Sequence, residues 1–256
     1  MAAGPALGHE FWIEPEDFTP HSGAPVVAQL KNGQEFLGNT LSYFGPRITR
    51  FDMIRGDEVI AVEGRAGDIP ALSADAPGDG LWSIVHETAP QRLTYAEWAK
   101  FAAFAEHKDF PDILARHTAR GLPRDGFAET YTRHVKALVG VGDGAGRDVE
   151  AGLATEFVAL ANPYTDALPD GLPVRLMYGG APRADAQVEI FDRGPDGQVT
   201  ITTTRTDARG EARIPVRAGH DYLLDAVVLR PAPDDHPAVW ESLWAALTFA
   251  VPATGG

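Results

Sequence analysis

A chain with eight histidines, 36 acidic residues and no cysteine can hold a transition metal only through imidazole and carboxylate. Thiolate sites, disulfides and cysteine nucleophiles are excluded at once. Three histidines fall where strands could present them. His9 opens the stretch His9-Glu10-Phe11-Trp12-Ile13-Glu14-Pro15, His86 ends the strand-like Leu81–Glu87, and His134 shares a strand face with Lys136 and Leu138. No H-E-x-x-H or H-x-H pair occurs, so a site must be assembled from separate strands. His9, His86 and His134 are therefore the candidate metal ligands, for Ni, Co, Cu or Zn.

Ala6-Leu7-Gly8 has the small-x-small form of a signal-peptidase site. That predicts an exported protein whose mature chain begins at or near His9. The new α-amine and the ring nitrogen of His9 would then chelate one ion together, which suits Cu(II) or Ni(II). The other histidines are expected at the surface: His21 and His220 beside turns, His107 and His117 on a helical stretch among charges, and His236 in the loop Asp234-Asp235-His236.

Enzyme signatures are missing. There is no G-x-S-x-G elbow, no P-loop and no G-x-G-x-x-G after a strand. Gly140-Val-Gly-Asp-Gly-Ala-Gly146 lacks both a helix start and a P-loop lysine. A non-catalytic chain without an organic cofactor is expected. A formal net charge of −14 repels phosphate backbones and argues against nucleic acid. No run approaches the ~18–20 apolar residues of a membrane span.

The elements that must position these residues read as follows. Phe11–Phe18 and Ala24–Leu30 are predicted strands, the second closed by a turn at Lys31-Asn32-Gly33. Ile48–Ile54 and Glu58–Glu63 flank the turn Gly56-Asp57, Gly64–Gly80 reads as loop, and Leu81–Glu87 is a strand again. The period then changes. Trp98, Phe101, Ala102 and Ala105 form one helical stripe behind a capping box of Thr94 and Glu97, and a second helix runs from Pro111 to about Arg120. Thr132–Val141 and Leu153–Leu160 return to strand. After the linker-like Thr165–Pro173 come short strands at Val174–Tyr178, Ala186–Asp192, Val199–Thr206, Glu211–Val216, Asp221–Leu229 and Leu243–Val251. The expected fold is mainly β: two β-sandwich (immunoglobulin-like or prealbumin-like) domains. The first covers 9–165 with a helical insertion at about 94–121, the second 170–252. Trp12, Trp240 and Trp244 are expected in core or inter-domain packing.

Several motifs together resemble a family. His9-Glu10-Phe11-Trp12, Tyr131-Thr-Arg-His-Val-Lys-Ala-Leu138, Asn162-Pro163-Tyr164 and Trp240-Glu-Ser-Leu-Trp-Ala-Ala-Leu-Thr-Phe249 are similar to a bacterial periplasmic domain-of-unknown-function family often labelled as a component of nickel or cobalt transport. Thr206-Asp207-Ala208-Arg209-Gly210-Glu211-Ala212 looks like the "TDxxGxA" hairpin of prealbumin-like and carboxypeptidase-regulatory-like domains. The resemblance implies a periplasmic binding protein for divalent transition metal, partnered by the ion and by an envelope transporter or outer-membrane receptor. Many members carry His-Met where this chain has Val228-Leu229, which removes one potential ligand. Two other functions fit the same residues: a non-catalytic module that docks an envelope partner, and a copper-dependent oxidoreductase with a histidine brace at His9.

Overall fold

The computed structural model describes residues 9–253, so the expected cleavage site at Ala6-Leu7-Gly8 lies outside the described residues. The first strands are β1 (Glu10–Pro15), β2 (Pro25–Gln34), β3 (Leu37–Leu41), β4 (Ile48–Arg55), β5 (Glu58–Ala61), β6 (Leu72–Asp75), β7 (Gly80–Thr88) and β8 (Gln91–Tyr95). The helices α1 (Trp98–His107) and α2 (Ile113–Ala119) follow, then β9 (Phe127–Val141) and β10 (Thr155–Ala159). The remainder is β11 (Leu172–Tyr178), β12 (Ala181–Pro182), β13 (Gln187–Arg193), β14 (Val199–Arg205), β15 (Glu211–Ile214), β16 (His220–Pro231) and β17 (Trp240–Val251).

The protein is a mainly-β sandwich with a helical insertion, as its alternating patterns require. Its centre is a nine-stranded sheet in the order β14-β13-β16-β17-β9-β7-β4-β5, with β8 paired to the start of β9. One face is covered by a four-stranded sheet of β1, β2, β3 and β6 and by the two helices; the other by β10, β11, β12 and β15. The two halves of the chain are joined edge to edge, because β9 and β17 pair in parallel from Glu129↔Trp240 to Ala137↔Thr248. Residues 9–165 and 170–252 thus share one sheet. Phe191, Leu223 and Ala246 of the second half enter the core built around Trp12 and Trp82 of the first, while β10 pairs with β11 across the expected boundary.

The long strand β9 organises both faces. Glu129, Tyr131, Arg133 and Val135 project to the side of the N-terminal sheet and α1; His134, Lys136 and Leu138 project to the other. Both faces are buried, so β9 shows no polar–apolar alternation.

Three local expectations are corrected. The turn foreseen at Lys31-Asn32-Gly33 lies inside β2, and the hairpin reverses at Glu35-Phe36, with φ of 55° and 61°. Gly33 is needed in the strand, because a Cβ there would meet Leu37 O at 2.0 Å. Phe36 accepts its left-handed backbone because its ring is buried 5.5 Å from Trp12 and 4.2 Å from the Arg193 guanidinium. The Thr94–Glu97 capping box does not form. Thr94 belongs to β8, which pairs with β9, and Glu97 takes the N-cap position without a side-chain capping bond. His107 and His117 are not solvated. His117 is fully buried, accepts from Trp240 Nε1 at 2.9 Å on Nδ1 and donates from Nε2 to Pro123 O at 2.9 Å. His107 Nε2 lies 2.7 Å from Glu189 Oε1. Tertiary packing, invisible to helical periodicity, turned both inward. His220 is likewise half-buried, with Nδ1 2.6 Å from Asp192 Oδ1.

Candidate functional site

The structure does not bring the three candidate ligands together. His86 pairs in register with Val135, and Glu87 with His134, so the rings of His86 and His134 leave opposite faces of the sheet. A strand layer separates them. His86 is wedged between Phe11 and Phe51, with ring centroids 5.4 Å and 5.0 Å away. Burial lowers its pKa to about 3, and neither ring nitrogen has a hydrogen-bond partner. His134, buried on the far face, is pushed down to about 4 by burial, and its Nε2 is 3.9 Å from Glu87 Oε1. Among the described residues no cluster of three or more His, Asp or Glu side chains could hold a metal ion. The His9–His86–His134 set is therefore not a site. Period-2 reading places a histidine on a face of its own strand but does not say which face of the sheet that is.

His9 has a different environment. It is exposed at the start of β1, with Nδ1 3.4 Å from Asn32 Oδ1, while Asn32 Nδ2 donates to Glu10 O at 3.2 Å. In the tautomer with the proton on Nδ1, the ring donates to the amide oxygen and Nε2 keeps its lone pair. This is the supporting bond by which a ligating histidine is usually oriented.

His9 stands at the mouth of a cleft between the N-terminal sheet, β8 and β9. Two cavities of about 370 Å³ each adjoin there, and Asn32, Tyr131 and Arg133 line both. His86 and Phe11 wall one, and Tyr95, Glu129 and Trp244 wall the other. Sequence reasoning missed the residue at their junction, Arg133. Its guanidinium lies 3.7 Å from the Trp244 ring centroid and 5.2 Å from that of Tyr131, and Nη1 has no hydrogen-bond partner. Burial lowers its pKa, though Asp225, Tyr131, Glu10 and Glu129 favour the charge.

The neighbouring carboxylates are engaged elsewhere. Glu129 accepts from Tyr95 Oη at 2.8 Å and from Ser242 Oγ, and its pKa is raised by burial. Asp225 Oδ2 is 2.8 Å from the buried Lys108 Nζ, which also bonds Glu189. Burial would lower the Lys108 pKa, but Asp225, Glu189 and Glu10 outweigh it and raise it. Glu10 is 3.8 Å from the same ammonium, its Oε2 is unpartnered, and desolvation lifts its pKa to about 7. An unsatisfied buried donor or acceptor costs on the order of 1–3 kcal/mol, more for a charged group. Three such atoms belong to side chains that line this cleft: Arg133 Nη1 and both nitrogens of His86. The linker-like Thr165–Pro173 is tied to the fold: Asp166 Oδ2 accepts from Asn162 N at 2.9 Å and from Arg147 Nη1 at 2.7 Å, and Leu172 and Pro173 belong to β11. Just before it, Asn162 Nδ2 donates to Gly144 O and Gly146 O at 2.8 and 3.1 Å, and Tyr164 Oη donates to Leu138 O at 2.5 Å.

Among solved structures, one similar chain is a crystal structure of a tetra-tandem repeat in the extending region of a large adhesion protein. It is 11% identical at a TM-score of 0.21, over 95% of this chain and 50% of that one. This chain spans half the length of that structure. No curated protein matches. The sequence profile of one family does match, over residues 6–230, a span that takes in His9 and Arg133 but ends before Trp244. The chain accordingly belongs to the family described as a domain of unknown function, DUF4198.

Proposed function

We propose that this is a periplasmic binding protein that handles a divalent transition metal, nickel or cobalt foremost, and hands it to an envelope transporter. One observation carries the reading: the exposed His9 imidazole, with Nδ1 set by Asn32 Oδ1 at 3.4 Å, presents Nε2 at the mouth of the cleft. A single imidazole fills one of the four positions of a closed site. An ion held there keeps most of its own ligands and exchanges readily, which fits delivery better than storage. A free α-amine on His9 would add a second ligand.

Calorimetry with Ni, Co, Cu and Zn, on this chain and on one beginning at His9, tests the proposal. Binding at about 10 μM or tighter, roughly 7 kcal/mol, is expected for the chain beginning at His9. It is lost in His9→Ala and kept in His86→Phe and His134→Phe. No binding of that strength in either chain overturns it.

A docking role at the same rim is favoured by Leu37 and Phe44, large apolar side chains that are 62% and 45% exposed and line cavities at the cleft. Capture of an envelope partner that survives chelator and is lost in Leu37→Asp supports docking; capture that needs the metal supports delivery.

A further inference from the structure

We propose that the interior of the cleft is a binding site for a small monocarboxylate with a flat apolar body, anchored on Arg133. The proposal goes beyond metal handling at His9 and does not depend on it. Arg133 is 7% exposed and His86 1%, yet three of their nitrogens lack partners while both side chains line the same cavity. Buried polar atoms in folded proteins are almost always paired, so a group of unpaired ones around a void implies a missing partner.

The Trp244 ring, 3.7 Å from the guanidinium carbon, holds the Arg133 plane without using its edge donors. The fork is set for a planar acceptor. A neutral His86, flanked by Phe11 and Phe51, offers one further donor and one acceptor.

Charge selects among ligands. A cation is repelled by the guanidinium. A phosphate dianion would bring two negative charges against one buried cation, with the exposed Arg47 and Lys100 only at the rims. It would also lie beside Asp225, Glu10 and Glu129, which already interact with Arg133. A monocarboxylate brings one charge and the matching plane. Phe11 and Phe44 on one side, and Tyr95 and Trp244 on the other, supply apolar walls. Each cavity, about 370 Å³, lies within the usual range of small-molecule sites.

The test uses benzoate as probe, with benzamide as its neutral isostere and inorganic phosphate as the rival anion, read by calorimetry and tryptophan fluorescence. Benzoate is expected to bind saturably below about 1 mM, at least about tenfold more tightly than benzamide or phosphate. Arg133→Met abolishes that preference and Arg133→Lys weakens it. The comparison of benzoate with benzamide on the unaltered chain needs no variant, so a folding defect in Arg133→Met leaves the test intact. Equal binding of the two, stronger binding of phosphate, or no saturation below about 1 mM overturns the proposal. Stripping metal with a chelator should leave benzoate binding to the unaltered chain unchanged, and Arg133→Met should leave metal binding unchanged, so each reading can fail without the other.

Discussion

Lys136 and Arg133 are buried cations three residues apart on β9, facing opposite sides of the central sheet. Lys136 Nζ meets Asp148 at 2.8 Å, Val149 O at 2.8 Å and Glu156 at 3.5 Å. Those carboxylates are themselves saturated. Asp148 accepts from Ser83 Oγ and Ala159 N, and Glu156 from the backbone of Ala151, Gly152 and Leu153. Every polar group there is answered within the chain, and the network pins the 142–154 loop to the sheet. Arg133 is also buried but has a bare Nη1, aromatic rings in contact where Lys136 has carboxylates, and a cavity in front of it. A buried charge alone therefore signals nothing about function. A buried charge with an unspent donor facing a void does.

The largest expected effect comes from breaking the satisfied side. Lys136→Met leaves two buried carboxylates without their cation and should lower unfolding free energy by about 3–5 kcal/mol, measured by urea denaturation. A loss below about 1 kcal/mol would remove the contrast between the faces.

Next is acid sensitivity on the cleft side. His86 titrates near 3 in the fold and near 6.5 when unfolded. The stability tied to its neutral form is therefore complete above about pH 6.5 and drains away as pH falls toward 3, by up to roughly 4 kcal/mol. His86→Phe, packed between the same two rings, should unfold at distinctly lower pH than the native chain. An unchanged acid midpoint would show that His86 is not the sensitive group.

Glu10 has the opposite sign. Its folded pKa, raised to about 7, favours the protonated form, so stability is present below about pH 4.5 and is lost as pH rises through 7. Glu10→Gln should gain up to roughly 3 kcal/mol over the native chain between about pH 5 and 8. Parallel pH–stability curves for the two would refute this.

The smallest change sharpens the comparison most. Arg133→Met forfeits stacking on Trp244 but orphans no hydrogen-bonded partner, so a loss of about 1 kcal/mol is expected. A loss as large as that of Lys136→Met would mean that Arg133 is structural and the cleft incidental.

The histidines show how far sequence reading reaches. Thr132–Val141 was legible as a strand, and period 2 correctly put His134 with Lys136 and Leu138. The same rule cannot say that β7 lies beside β9 in the register Glu87↔His134, which throws His86 to the other face. The helical stripe of Phe101 and Ala105 was also legible, and both are buried. His117, on the next helix, read as solvated because the Trp240 indole that bonds it comes from 123 positions away. Arg133 stood inside the motif Tyr131–Leu138 but carried no signal of its own, sitting in a strand among residues of mixed polarity.

What the chain alone determined is local: mainly-β architecture from alternation and turns, one helical insertion from the change of period, and transition-metal ligation limited to imidazole and carboxylate by the absence of cysteine. Tertiary structure decided which of those groups meet. Parallel pairing of β9 with β17 fuses the two halves into one sheet, sets Arg133 against Trp244, and divides the histidines between faces. Spacing along a strand is governed by backbone geometry and survives in sequence. Proximity across strands depends on register and sheet order, which arise only when the hydrophobic faces close on one another.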